Sequence, residues 1–173
     1  MNKELRRGSS SQADCSSYKN LTRSIPASIR FITPRDFKQI AIIEYDSFEY
    51  PWLNCDFRSK LDEDGTICYV VEHNGFIVAY AIIQYFPHHI ELCNIAVDRD
   101  YRNNKIASLI INMLKIKLHL ENRNCITAIV SERNLLAQHF LYKRGFLAKK
   151  VMNDYYAKDH DAYYMVFEID EQI

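Results

Sequence analysis

Two hydrophobic periods succeed one another along the chain, and their order predicts its elements. SIRFIT at 28–33 alternates polar and apolar side chains, which predicts a first strand. Pro34 then stands where a helix begins. DFKQIAIIEYDSF at 36–48 carries apolar residues at helical spacing, and Pro51 ends that run. Trp52 follows in the turn, and 56–61 predicts a second, short helix. TICYVVEHNGFIVAYAIIQYF at 66–86 is two β-rich runs broken by Asn74-Gly75, the strongest short hairpin signal a sequence offers. HIELCNIAV at 89–97 is a further strand.

From Lys105 the period becomes 3.6, with Ile106, Leu109, Ile110, Met113 and Leu114 on one face of a helix running to about His119. CITAIV at 125–130 is a buried strand. A second helix spans 135–144, with Gly145 as its C′ residue, and 146–156 and 161–169 form a last strand pair. The order is strand, two helices, three antiparallel strands, helix, strand, helix, two strands. This is an α/β (α+β) domain around a mixed, mostly antiparallel sheet of about seven strands flanked by about four helices. The strand–helix–strand step over 97–130 implies locally parallel pairing.

Composition narrows the class. The chain has 173 residues, 48% hydrophobic and 25% charged, which suits one globular domain at 28–170. Lys+Arg and Asp+Glu are both 22, and this balance argues against bulk nucleic-acid binding, which needs clustered cationic charge. Residues 1–27 are polar and Ser-rich and read as a disordered tail, with no apolar segment of the kind a secretory signal needs. The longest apolar run, FIVAYAII at 76–83, is too short to span a bilayer. The five cysteines at 15, 55, 68, 93 and 125 include no CxxC pair, which suggests buried thiols in a reducing cytoplasm. His88, His89 and Glu91 lie close together, but without a distant third ligand no metal is expected.

The polar loop VDRDYRNNK, between a strand end and a helix start, is laid out to receive a phosphate on helix N–H groups. With YPW at 50–52, NIAVDRDYR at 94–102, SERN at 131–134, RGF at 144–146 and NDYY…DA..M at 153–165, the chain resembles the GNAT superfamily of N-acetyltransferases. Within it, the resemblance is greatest to the ribosomal-protein-alanine N-acetyltransferases. It covers roughly 28–170.

The resemblance implies a co-substrate, acetyl-CoA, and no metal. It implies transfer of the acetyl group by direct attack of a primary amine, chiefly the α-amino group of a protein or peptide N-terminus, a ribosomal protein among the candidates. It also suggests a monomer. The alternative is a chain that keeps the fold, has lost the chemistry, and binds an acyl-CoA or a protein.

The pyrophosphate loop of the superfamily reads (Gln/Arg)-x-x-Gly-x-(Gly/Ala). Arg102, Lys105 and Ala107 occupy its marked positions, so a lysine replaces the glycine. Arg102, Asn103, Asn104, Lys105, Ile106 and Ala107 are the expected phosphate-side residues. Asparagine tolerates the left-handed backbone such a loop uses, and Arg102 and Lys105 would add positive charge. Ile95, Ala96 and Val97 would lie along the pantetheine arm with Asn134, which also suits a helix N-cap. Trp52, Tyr155 and Tyr156 fall in the substrate-side segments.

The relatives' catalytic glutamate corresponds to Ile129 and their tyrosine acid to Leu141, with Tyr142 one step on. Tyr142 is therefore the expected proton donor to the thiolate, and Glu91 the expected base. By period 2, before any bulge, Glu91 shares a face with Cys93, Ile95 and Val97.

Overall fold

The computed structural model describes residues 26–169. The tail assigned to 1–27 lies outside the described residues except for its last two, of which Ala27 is already buried in the core.

Eleven regular elements follow in chain order: β1 (Ser28–Phe31), α1 (Phe37–Ser47), α2 (Asn54–Leu61), β2 (Thr66–His73), β3 (Phe76–Tyr85), β4 (His89–Val97), α3 (Ile106–Leu120), β5 (Cys125–Ser131), α4 (Leu135–Tyr142), β6 (Leu147–Ala157) and β7 (His160–Glu168). A 3-10 turn at Arg99–Tyr101 leads from β4 toward α3. The strands form one seven-stranded sheet in the order β1-β2-β3-β4-β5-β7-β6. Every neighbouring pair is antiparallel except β4 and β5, which α3 joins as a parallel crossover.

Helices on both faces explain the apolar character of the central strands. In β2, Tyr69 and Val71 join the α3 side, whereas Cys68 and Val70 meet Ile40 and Ile43 of α1 and Phe57 of α2. The stripe Ile106, Leu109, Ile110, Met113 and Leu114 is wholly buried against the first of these faces. The β2–β3 turn falls at Asn74-Gly75, with φ of 50° and 82°, the positive values a tight hairpin needs.

Gly145 closes α4. At φ 85° its N–H donates to the Tyr142 carbonyl while the Phe146 N–H reaches Leu141, the paired bonds of a left-handed helix stop. The last two strands do not sit in chain order: β7 lies between β5 and β6, and β6 forms the exposed edge.

Candidate active site

The site arises where the sheet parts. Parallel pairing of β4 with β5 begins at His89–Cys125 and ends at Leu92–Ala128, although both strands continue beyond it. The divergence coincides with a bulge in β4: Ile83 pairs with Leu92 and Ile82 with Asn94, so Cys93 is the extra residue. Past this point the β5-facing edge of β4 has no strand partner among the described residues. The opening has a volume of about 370 Å³, within the usual range for a small-ligand cleft. One wall is Leu92–Ile95 and the other Ala128–Ser131, with α4 and the α1–α2 loop closing the ends.

The bulge also settles which way β4 side chains point. Asn94 and Ala96 face α1, whereas Ile95 and Val97 pack toward α3. Glu91 and Cys93 lie on the α1–α2 face, so Glu91 does not share a face with Ile95 and Val97. A one-residue bulge reverses the alternation beyond it. Glu91 is outside the cleft lining, and the Cys93 thiol lies 3.9 Å from its Oε1.

Glu44 of α1 is 1% exposed and forms part of the cleft lining. Its Oε1 accepts the Trp52 backbone N–H at 2.8 Å, its Oε2 accepts the Tyr80 hydroxyl, and Asn94 Nδ2 lies 3.2 and 3.3 Å from the two oxygens. Burial pushes this carboxyl above its ordinary value, against the lowering effect of those donors. The result is a fixed hub that holds the α1–α2 loop onto β4. Sequence reading missed it, because a glutamate in an amphipathic helix ordinarily faces solvent.

The loop before α3, expected from the sequence on the phosphate side, takes left-handed backbone without glycine. Lys105 sits at φ 61°, ψ 13°, the left-handed region, as the residue before α3, and Asn103 is left-handed as well at φ 64°. No side chain caps α3, so its first N–H groups are not satisfied in the way helix starts often are. Ile106 is buried and offers only its backbone there, beside Ala107. Asn104 is not left-handed; its Nδ2 donates to the carbonyls of Tyr101 and Arg102 at 3.2 Å. Arg102 is turned back rather than outward. Its Nε donates to Val97 O and a terminal nitrogen to Ser47 Oγ, both at 3.0 Å, which pins the loop to β4 and α1.

Of the remaining expected residues, Trp52, Ile95, Asn134 and Tyr156 meet in the cleft. Asn134 caps α4 through Oδ1, which accepts the Ala137 N–H at 3.0 Å, and the cap does not use its amide nitrogen. Ala96 and Val97 stand next to the cleft lining without joining it. Tyr155 also lies outside, with its ring 5.0 Å from that of Tyr156. Burial raises the hydroxyl pKa of both tyrosines, with the Glu91 charge contributing at Tyr155.

Tyr142 does not reach the cleft. It is 64% exposed, while Leu141, about 100° away around the helix, lines the opening together with Ile129. Two side chains that sequence reading passed over, Ser131 and His160, enter it instead. No group of three or more His, Cys, Asp or Glu among the described residues is arranged to hold a metal ion.

Comparison with known proteins identifies the family and the fold. The profile of the acetyltransferase (GNAT) family matches residues 37–146. An uncharacterized N-acetyltransferase of Methanocaldococcus jannaschii is 24% identical over 139 residues, which is 80% of this chain and 89% of that protein. The crystal structure of the ribosomal-protein-S18-alanine N-acetyltransferase from Escherichia coli superposes with a TM-score of 0.75 at 23% identity, covering 85% of this chain and 98% of that one. Naa50 of Arabidopsis thaliana, in complex with the bisubstrate analogue CoA-Ac-MVNAL, superposes with a TM-score of 0.71 at 16% identity, over 83% and 99% of the two chains. At these identities the superpositions establish the shared fold.

Proposed function

Because the chain belongs to the acetyltransferase (GNAT) family, we propose that it moves the acetyl group of acetyl-CoA onto the α-amino group of a protein or peptide N-terminus. The observation that carries this reading is the parted β4–β5 pair next to the uncapped start of α3. A strand edge with unused backbone groups suits the amide-bearing pantetheine arm. The left-handed turn at Lys105 and the first N–H groups of α3 suit its pyrophosphate.

The chemistry needs a neutral amine, donors for the tetrahedral oxyanion and an exit for the thiolate. The backbone N–H groups of β4 beyond Cys93 are the donors available along the cleft. Asn134 stands on the opposite side, and the cleft fixes the amine against the thioester carbonyl, which alone supplies much of a rate enhancement.

The acceptor side is aromatic. Tyr50, Trp52 and Tyr156 line it, and flat amphipathic rings suit an extended peptide better than a bulky small-molecule amine. The bisubstrate analogue bound by Naa50 joins CoA to a short peptide, which supports the same acceptor class here.

The direct test is acetyl transfer, followed by mass spectrometry, to a panel of short peptides with free N-termini. The same peptides with blocked N-termini and an internal lysine serve as controls. Transfer to free α-amines only is the expected result; transfer to lysine side chains or to small amines instead would overturn the N-terminal assignment.

A further inference from the structure

Ser131 closes β5 and His160 opens β7, and the pairing of those strands brings the two side chains together in the cleft wall. Ser131 Oγ lies 2.7 Å from His160 Nε2. The imidazole is 2% exposed, with its ring 5.0 Å from that of Tyr156 and 6.0 Å from that of Tyr50. Its other nitrogen, Nδ1, is buried without a hydrogen-bond partner in the protein. An orphaned buried polar atom costs about 1–3 kcal/mol. Its persistence beside a ligand cleft points to a partner that arrives with the ligand.

The environment of Ser131 lets the ring hold either charge state. Its Oγ accepts the Arg133 backbone N–H at 3.1 Å, which leaves one lone pair for the imidazole. A neutral ring with its proton on Nε2 donates to that lone pair and keeps Nδ1 as an acceptor. When Nδ1 takes a proton, the Nε2–H···Oγ bond persists unchanged. The other candidates in the cleft are less suited. Glu44 has both oxygens committed to donors, Glu49 lies exposed at the rim, and Ile129 and Leu141 cannot exchange protons. Histidine is the side-chain type that exchanges protons near neutral pH.

We propose that His160 takes the proton shed by the acceptor amine, and that Ser131 holds its ring in position to do so. This rests on the acetyl-transfer reading of the same cleft. The amine lone pair forms the N–C bond, and the C–S bond breaks with its electron pair going to sulfur. The proton leaving nitrogen passes to Nδ1, directly or through one water, and returns from there to the thiolate.

Charged and titratable groups surround the ring. Glu49 and Tyr50 come from the α1–α2 loop and Tyr156 from β6. Glu132 follows β5 and accepts the Asp161 N–H, while the Arg133 guanidinium bonds the Asp159 carbonyl. A pH profile reads them together with His160.

The test compares His160→Gln, Ser131→Ala and Ser131→Thr with the unaltered chain, using acetyl-CoA and an N-terminal peptide that the unaltered chain acetylates. For the unaltered chain, kcat/KM is expected to rise with pH through two ionisations, the imidazole's and the acceptor amine's. His160→Gln should lose the first and fall about 100-fold, with the KM for acetyl-CoA unchanged. Ser131→Ala should fall about 10-fold, with Ser131→Thr restoring most of that because it keeps the hydroxyl; this pair answers the question even if the histidine variant folds poorly.

Retention of both ionisations within threefold of the original rate, or a loss confined to the peptide KM, would overturn the proposal and leave His160 a packing residue. If the unaltered chain acetylates no amine, the acetyl-transfer reading fails and this proposal falls with it, a result visible before any variant is compared.

Discussion

The Glu44 carboxylate accepts the backbone N–H of Trp52 at 2.8 Å, eight residues further along the chain. This bond closes the α1–α2 loop over the cleft, because the same side chain is fixed from behind by Tyr80 and Asn94. Truncating Glu44 to alanine strands several buried donors, each worth about 1–3 kcal/mol. The expected outcome is a melting temperature lower by several degrees, together with a raised peptide KM and unchanged acetyl-CoA binding. Calorimetry and steady-state kinetics check the two halves. An unchanged peptide KM would separate the loop from acceptor recognition.

Glu44 also shapes the pH dependence of stability. Its folded-state pKa is raised from 4.5 by burial, so the unfolded chain ionises first as pH rises through that value, and stability falls. Glu44→Gln should flatten this decline in urea melts taken between about pH 4 and pH 7. A decline of the same slope in the variant would assign it to other groups.

Asp36 acts in the opposite sense and in a lower window. The Arg30 guanidinium binds it at 2.7 and 2.9 Å and holds it at about 2, against an ordinary 3.8. A depressed carboxyl contributes stability that is complete above its unfolded value and is lost as pH falls through its folded one. Stability should therefore drop from about pH 4 to about pH 2, and Asp36→Asn should remove that step while lowering stability at neutral pH. Acid titration of both chains by circular dichroism is the measurement.

Lys105 carries a strained backbone that glycine would relax. A left-handed non-glycine residue costs about 1–2 kcal/mol, part of which glycine gives back through its freer unfolded state. Lys105→Gly should raise the melting temperature by about 2–4 °C, and Lys105→Val should lower it. If the lysine charge assists the pyrophosphate, the glycine variant should also bind acetyl-CoA with a shallower salt dependence. Weaker binding with an unchanged salt slope would contradict that role.

Glu91 and Tyr142, the proton carriers expected from the sequence, stand outside the cleft lining. Glu91→Gln and Tyr142→Phe should each leave kcat within about threefold, since group-specific proton transfer is worth about 100-fold or more. A 100-fold loss in either variant would return that residue to the mechanism.

The features visible in the sequence are those set by short-range pattern. Asn74-Gly75 announced its hairpin, Gly145 its helix stop, and the Ile106–Leu114 stripe its buried face. The polar VDRDYRNNK run marked the connection from β4 to α3. The site's remaining features depend on long-range register.

The Cys93 bulge is one residue of slip between two uniformly apolar strands, and no side chain marks it. It nevertheless decides which face Glu91 takes. Tyr142 lies outside the cleft lining for a similar reason: one step along a helix is a turn of about 100°. Ser131 and His160 meet only because β7 pairs with β5 rather than following β6 outward. Glu44 resembles any surface glutamate until its three partners, from three separate segments, are in place.

That placement of β7 has a consequence for when the site exists. The last strand of the described residues is an interior strand, and its insertion joins β5 to β6. Without β7, β5 would present a bare edge and Ser131 would face no imidazole. The step that seals the sheet edge also delivers His160 to the cleft wall. Under the role proposed for His160, the cleft is complete only once β7 has docked against β5.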